Sequence, residues 1–246
     1  KGDGRTHYAD GPRIHEYLHL MNQEVFKPYG LVTVGEMSST TPEECVLYTR
    51  EDREELSMVF SFHHLKVDFM GNEKWVLVPA DFGKLKDILF TWQTKMEEHN
   101  AWNAVFWCNH DQPRVVSRFG DEGGLWKESA KMLGTVIHCM RGTPYIYQGE
   151  EIGMTNAYFD KMEDYRDIES INTYKEFTEN GLMNPEEMMS ALKAVSRDNA
   201  RTPMQWNTSA HAGFTTGEPW IRVNPNYLQI NAEAAVEDKN SIYYYY

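Results

Sequence analysis

The sequence predicts an α/β fold: the second half of a (β/α)8 TIM barrel, with a long excursion after its last strand. Three observations carry that prediction. Short apolar runs and amphipathic stretches alternate four times at βα spacing, the pattern of a parallel sheet with right-handed crossovers. Each apolar run empties into polar residues, as strands do at the C-terminal face of a barrel. No Gly-rich phosphate loop follows any of these runs, which counts against a nucleotide-binding doubly wound sheet.

Each element has its own signal. Asp10-Gly11-Pro12 opens a helix predicted to reach Phe26, with apolar Ile14, Leu18, Met21 and Val25 on one face. Residues 31–34 read as a strand that delivers Gly35-Glu36. Ser38-Ser39-Thr40-Thr41-Pro42-Glu43-Glu44 is a helix start, and the short helix runs to about Thr49. Residues 56–62 read as a second strand, followed by a polar loop and a helix over 82–98. Residues 104–108 form the third strand, ending in Asn109-His110-Asp111. A helix over 126–141 is ended by Gly142. The fourth strand, 144–147, empties into Gln148-Gly149-Glu150-Glu151. The polar, aromatic-rich region beyond has one helix, over 185–196. Unstructured connections of that length are unusual and often functional. The last ten residues read as the start of a β element. The expected domains are therefore 1–236, the C-terminal half of a catalytic barrel, and 237–246, the start of a truncated β domain. No Met opens the chain and four tyrosines close it. The expectation is a fragment of a longer protein, prone to self-association in isolation because a half barrel leaves strand edges uncovered.

Composition narrows the function. With 246 residues and 41% hydrophobic content the chain can bury a sizeable core. A net charge of −13 repels nucleic acid and anionic lipid, so neither is expected as a partner. No apolar run nears the roughly 18 residues that span a bilayer, and no leader pattern is visible. Cys45, Cys108 and Cys139 are odd in number and sparse, which suits reduced thiols in the cytoplasm. No Cys/His spacing suggests a metal, and no cofactor is expected.

Two like-patterned strands each deliver a carboxylate, Glu36 and Asp111. Paired carboxylates at one barrel face are the equipment of glycoside hydrolysis; the alternative is that both are solvated loop residues. His63-His64 would face opposite sides of a strand and make a poor metal pair. Residues 51–55 read as a solvated charged loop. Met188 and Met189 read as helix packing.

These motifs resemble the α-amylase superfamily of retaining glycoside hydrolases. Val34-Gly35-Glu36 looks like the strand that carries the family's general acid/base, and Asn109-His110-Asp111 like its Asn-His-Asp motif. Gln148-Gly149-Glu150-Glu151-Ile152-Gly153-Met154 and Arg201-Thr202-Pro203-Met204-Gln205-Trp206 resemble the branch of oligo-1,6-glucosidases and trehalose-6-phosphate hydrolases. Within it, Gly35-Glu36-Met37-Ser38-Ser39-Thr40-Thr41 and the run from Ser61 to Phe69, continuing over Gly71 to Trp75, are similar to the α,α-phosphotrehalase family. The Lys74-Trp75 pair is common to both, whereas Lys66 separates them.

The resemblance implies a retaining hydrolase of trehalose 6-phosphate, a cytoplasmic enzyme whose partner is a small sugar phosphate. Glu36 would be the acid, then the base. Asp111 would grip sugar hydroxyls and favour the oxocarbenium-like ring, with His110 donating to the same sugar. Arg201 would contact sugar or brace the acids. Lys66 and Lys74 would hold the phosphate, a dianion that suits mobile ammonium donors; otherwise they are surface lysines. Trp75, Phe62 and Trp206 are sugar-stacking walls or core. The family nucleophile, an Asp in a Gly-x-Arg-x-Asp context, has no match here. Gly4-Arg5 reads as a loop just past the missing strand, and Asp121 has the wrong setting. The expectation is thus that the nucleophile lies outside this chain and that the chain alone is inactive. A 1,6-glucosidase acting on isomaltose-type sugars and a non-catalytic binding barrel are the alternatives.

Overall fold

The computed structural model describes residues 9–71 and 73–246, so Gly4-Arg5 lies outside the described residues. In chain order the strands are β1 (Val34–Met37), β2 (Met58–Ser61), β3 (Phe69–Met70), β4 (Glu73–Leu77), β5 (Asn103–Phe106) and β6 (Thr143–Tyr145). The α-helices are α1 (Ile14–Met21), α2 (Pro42–Thr49), α3 (Phe82–Glu98), α4 (Val115–Phe119), α5 (Trp126–Cys139), α6 (Ile168–Glu179), α7 (Pro185–Val195), α8 (Asp198–Arg201), α9 (Ala232–Glu237) and α10 (Ile242–Tyr245). They fall into two compact units. The first holds residues up to Val67, Asp81–Val105 and Cys139–Tyr145; the second holds Asp68–Ala80, Phe106–His138 and Ile146–Tyr246.

The first unit is built on a four-stranded sheet ordered β1-β2-β5-β6. β1 pairs parallel with β2, and β2 with β5. Strand order follows chain order with no reversal, as in a barrel wall; a doubly wound sheet reverses at its switch point. Residues 31–34 were expected to be the first strand, yet the ladder occupies Val34–Met37, with Glu36 opposite Phe60. Apolar content alone cannot place a register. The partner strand begins only at Met58, and before it Thr33 and Ser57 exchange side-chain to backbone hydrogen bonds instead. Glu36 is therefore a strand residue, not a loop residue beyond the strand's end. Gly35 beside it is closely packed: a Cβ there would meet Leu56 Cδ1 at 2.8 Å, so that side chain would have to shift.

Helix α2 begins as the sequence implies, with a reciprocal capping box between Thr41 and Glu44. It packs with α3 through Cys45, Val46, Trp92 and Met96. The expected Asp10 cap of α1 does not form. Arg13 holds the cap position, and the Asp10 carboxylate accepts from Tyr48 Oη at 2.8 Å instead. Gly142 serves a close approach more than a helix end: at φ +148 its missing Cβ clears the Asn103 carbonyl by a contact of only 2.8 Å. The 51–55 run is not wholly solvated, since Glu55 is buried and accepts from Arg53 Nε and His15 Nδ1. His63 and His64 lie on a single tight helical turn rather than a strand.

In the second unit the expected polar loop after the second strand is an antiparallel hairpin, β3–β4. Its Trp75 enters a core with Phe159, Tyr165, Met188 and Leu192, so that tryptophan is core and not a sugar wall. Met188 and Met189 pack there as expected. The long excursion is not structureless. Asp167 caps α6 by accepting from the Ser170 N–H, and Asn184 caps α7 in a reciprocal box with Glu187. The final residues were expected to be extended but form α10. Ser241 caps it, and Ile242 packs on Val116 and Ala130, which outweighs the β preference of four tyrosines.

Candidate active site

The six sequence-predicted site residues divide between the two units. In the first, Glu36 projects from the exposed face of β1 and lines an open cleft of about 630 Å³ with Asp10, Ile14, Tyr17, Ser38 and Tyr48. Among the described residues it has no hydrogen-bond or ion-pair partner, so its carboxyl is unrestrained. Lys66, at the end of the His63–Lys66 turn, donates from Nζ to the Ser38 carbonyl at 3.1 Å, two residues past Glu36. The carbonyl satisfies one of three ammonium protons and supplies no counter-charge, so Lys66 keeps both charge and donors for an anion.

In the second unit, the chain leaving β5 turns at Asn109, whose Oδ1 accepts from the Asp111 N–H at 2.8 Å. This side-chain-closed turn fixes the backbone of the Asn-His-Asp stretch. His110 is well exposed, and its Nε2 sits 3.7 Å from Asp111 Oδ2; it is not an interior histidine. Asp111 is clamped by arginines. Arg201 Nη2 donates to Asp111 Oδ1 at 2.6 Å, its Nε to the His110 carbonyl at 2.8 Å, and its Nη1 to Asp167 Oδ1 at 3.1 Å. Arg197 Nη1 lies 3.6 Å from the same Asp111 oxygen, and its Nη2 3.1 Å from Asp167. Arg201 thus braces the acids.

The cluster continues to Lys74. Its Nζ pairs with Glu169 Oε2 at 2.5 Å and lies over the Trp75 ring at 4.5 Å. Glu169 Oε2 also lies 3.1 Å from Arg197 Nε. Three cations and three carboxylates therefore alternate from Lys74 through Glu169, Arg197, Asp167 and Arg201 to Asp111. Lys74, expected to share one loop and one free positive pocket with Lys66, stands instead on β4 with its charge already paired.

Asp167, Glu169 and Arg197 were not singled out in the sequence. Two signals mark them. Asp167 precedes Ser170 in a helix-start pattern, and Arg197 and Arg201 sit one helical turn apart, which puts both guanidiniums on one face. Burial pushes the Asp167 carboxyl up, but the Ser170 N–H and the Arg197 guanidinium outweigh it and hold it below the usual range. Arg114 organises the same region from beneath. Fully buried, it donates to the carbonyls of Gln148, Asn199 and Ala200, the last two immediately preceding Arg201.

Elsewhere in this unit Glu150 is buried and pushed up to about 7 by loss of solvent; one oxygen accepts from Tyr246 and the other has no partner. Burial also pushes the Cys108 thiol up to about 12, which leaves it unreactive. No His/Cys/Asp/Glu group that would hold a metal occurs among the described residues. Nor is any described helix long and apolar enough to cross a membrane.

The α-amylase catalytic-domain family matches residues 1–246. The chain belongs to the α-amylase family. Over all 246 residues it is 59% identical to trehalose-6-phosphate hydrolase of Bacillus subtilis (strain 168) and 58% identical to that of Escherichia coli (strain K12), covering 44% of each. It is also 55% identical over 243 residues to oligo-1,6-glucosidase of Bacillus cereus, covering 99% of this chain and 43% of that one. The crystal structure of Bacillus licheniformis trehalose-6-phosphate hydrolase superimposes with a TM-score of 0.95 at 58% identity, covering 100% of this chain and 44% of that chain. The chain thus spans less than half the length of these relatives. Membership places the chain in a barrel catalytic-domain family with mixed α/β content.

Proposed function

We propose that the protein carrying this chain cleaves trehalose 6-phosphate to glucose and glucose 6-phosphate with retention, in the cytoplasm. The observation that carries this reading is Lys66: an ammonium anchored on the Ser38 carbonyl, two residues past the candidate acid, with no carboxylate on it among the described residues. The 58–59% identity to two trehalose-6-phosphate hydrolases supports the same substrate.

Glu36 protonates the glycosidic oxygen as the C1–O bond breaks, and a carboxylate nucleophile bonds to C1. Glu36 then takes a proton from water, which attacks C1 and releases the second sugar. An unrestrained, exposed carboxyl suits a group that must give up and regain a proton each cycle. Asp111, oriented by Arg201 and Arg197, binds sugar hydroxyls and favours positive charge on the ring. His110 donates to the same sugar. The nucleophile we place outside residues 1–246, because no Gly-x-Arg-x-Asp stretch occurs in the sequence. On that reading the chain alone releases no glucose.

The oligo-1,6-glucosidase reading keeps one observation of its own: Lys74 is neutralised by Glu169, as a site for uncharged sugar would tolerate. The test is turnover of trehalose 6-phosphate and of isomaltose by the protein at the length of its relatives, with Lys66→Gln. Loss confined to the phosphosugar is expected. Preference for isomaltose, unaffected by Lys66→Gln, would overturn the phosphosugar assignment. Steady glucose release by the 246-residue chain would overturn the placement of the nucleophile.

A further inference from the structure

Lys74 is the least available cation one would choose for an incoming phosphate. Its side chain is 21% exposed, and the ammonium is paired with Glu169 at 2.5 Å and laid over the Trp75 ring. A dianion reaches it only by displacing Glu169. The geometry provides a place for Glu169 to go. Its Oε2 is already 3.1 Å from Arg197 Nε, and that buried N–H has no aligned acceptor while Glu169 faces Lys74. A rotation of the Glu169 carboxylate would trade one cation for another and satisfy a proton that is unsatisfied in the resting arrangement.

We propose that Glu169 is a specificity-determining residue: a carboxylate latch that covers Lys74 until a phosphate displaces it onto Arg197. This rests on the reading of Lys74 as a phosphate contact. A neutral sugar has no means of opening the latch, because it offers the ammonium no negative charge in exchange. A phosphate does, at the cost of the fraction of time Lys74 is covered, since apparent affinity falls in proportion to the competent population. The latch therefore lowers affinity for every anion and leaves affinity for neutral sugars untouched. It also spares the site from holding a bare ammonium over an aromatic ring when empty.

The test uses the protein at the length of its relatives, with a chromogenic aryl α-glucoside as reporter. Competitive inhibition constants are measured for glucose and glucose 6-phosphate. Their ratio gives the preference for phosphate, and because both come from one preparation, partial misfolding cancels. Glu169→Gln should raise that preference about three- to tenfold, the effect of uncovering a partly exposed ion pair. Lys74→Met should lower it, and Lys74→Met/Glu169→Gln should match Lys74→Met alone, since the latch has nothing left to cover. A wild-type preference that depends on Lys74 but is unchanged or reduced by Glu169→Gln overturns the latch alone. Absence of any phosphate preference in the wild type and in Glu169→Gln overturns the phosphate reading and the latch with it.

Discussion

Glu36 and Asp111 are both carboxylates, one on a strand and one in the turn after a strand, yet their surroundings are opposite. Glu36 stands exposed on β1, with no hydrogen-bonding or charged partner among the described residues. Asp111 has its backbone N–H tied to Asn109 and one oxygen clamped by Arg201 and approached by Arg197. The difference teaches what each is built for. A group that cycles between acid and base must be free to exchange a proton, and cations beside it would hold it ionised. A group that stabilises developing positive charge must stay in place, which is what two forked guanidiniums provide.

Three changes break or sharpen that contrast in the full-length protein. Glu36→Gln removes proton transfer and should lower kcat on a sugar substrate by about 10²- to 10⁴-fold, measured by steady-state glucose release, without loss of folding. Asp111→Asn should cost about 10²- to 10³-fold in kcat/KM. Arg201→Lys keeps the charge but cannot span His110, Asp111 and Asp167 at once; a loss of about 10- to 100-fold is expected, smaller than for Asp111→Asn because Arg197 remains.

Two further changes concern stability. Asp167→Asn strips a buried carboxylate from two arginines and should destabilise by about 3 kcal/mol in denaturant unfolding at pH 7. Asp167 is held below its ordinary value, so its contribution is present above the unfolded value and is lost as pH falls through the folded one; the variant's penalty should shrink in acid. Glu150 has the opposite sign. Its folded value of about 7 exceeds the ordinary 4.5, so the folded state holds the extra proton and stability declines as pH rises between those limits. Glu150→Gln should flatten that slope, which amounts to ~3 kcal/mol across the window. An unchanged slope in the variant would assign the pH dependence to other groups.

Much of this was legible in the sequence because it depends on local chemistry. The capping residues of α2 and α7, the βα alternation and the polar stretch after β5 are written in neighbouring residues. What was not legible depends on partners far along the chain. The register of β1 is set by Met58, 24 residues on at Val34's partner position. Trp75 reads equally well as wall or core until Met188 and Leu192 close on it. Glu169 and Arg197 become conspicuous only when folding brings them to Lys74. The tyrosine run has extended propensity, and only the apolar seat that holds Ile242 turns it into a helix.

The division of labour between the two carboxylates is tested most directly by changing the leaving group. Glu36→Gln and Asp111→Asn would each be assayed on a sugar-leaving substrate and on an aryl α-glucoside whose leaving group departs without protonation. The account predicts that Glu36→Gln is far less damaging on the aryl substrate, whereas Asp111→Asn is equally damaging on both. Equal losses on both substrates for Glu36→Gln would contradict its role as the proton donor.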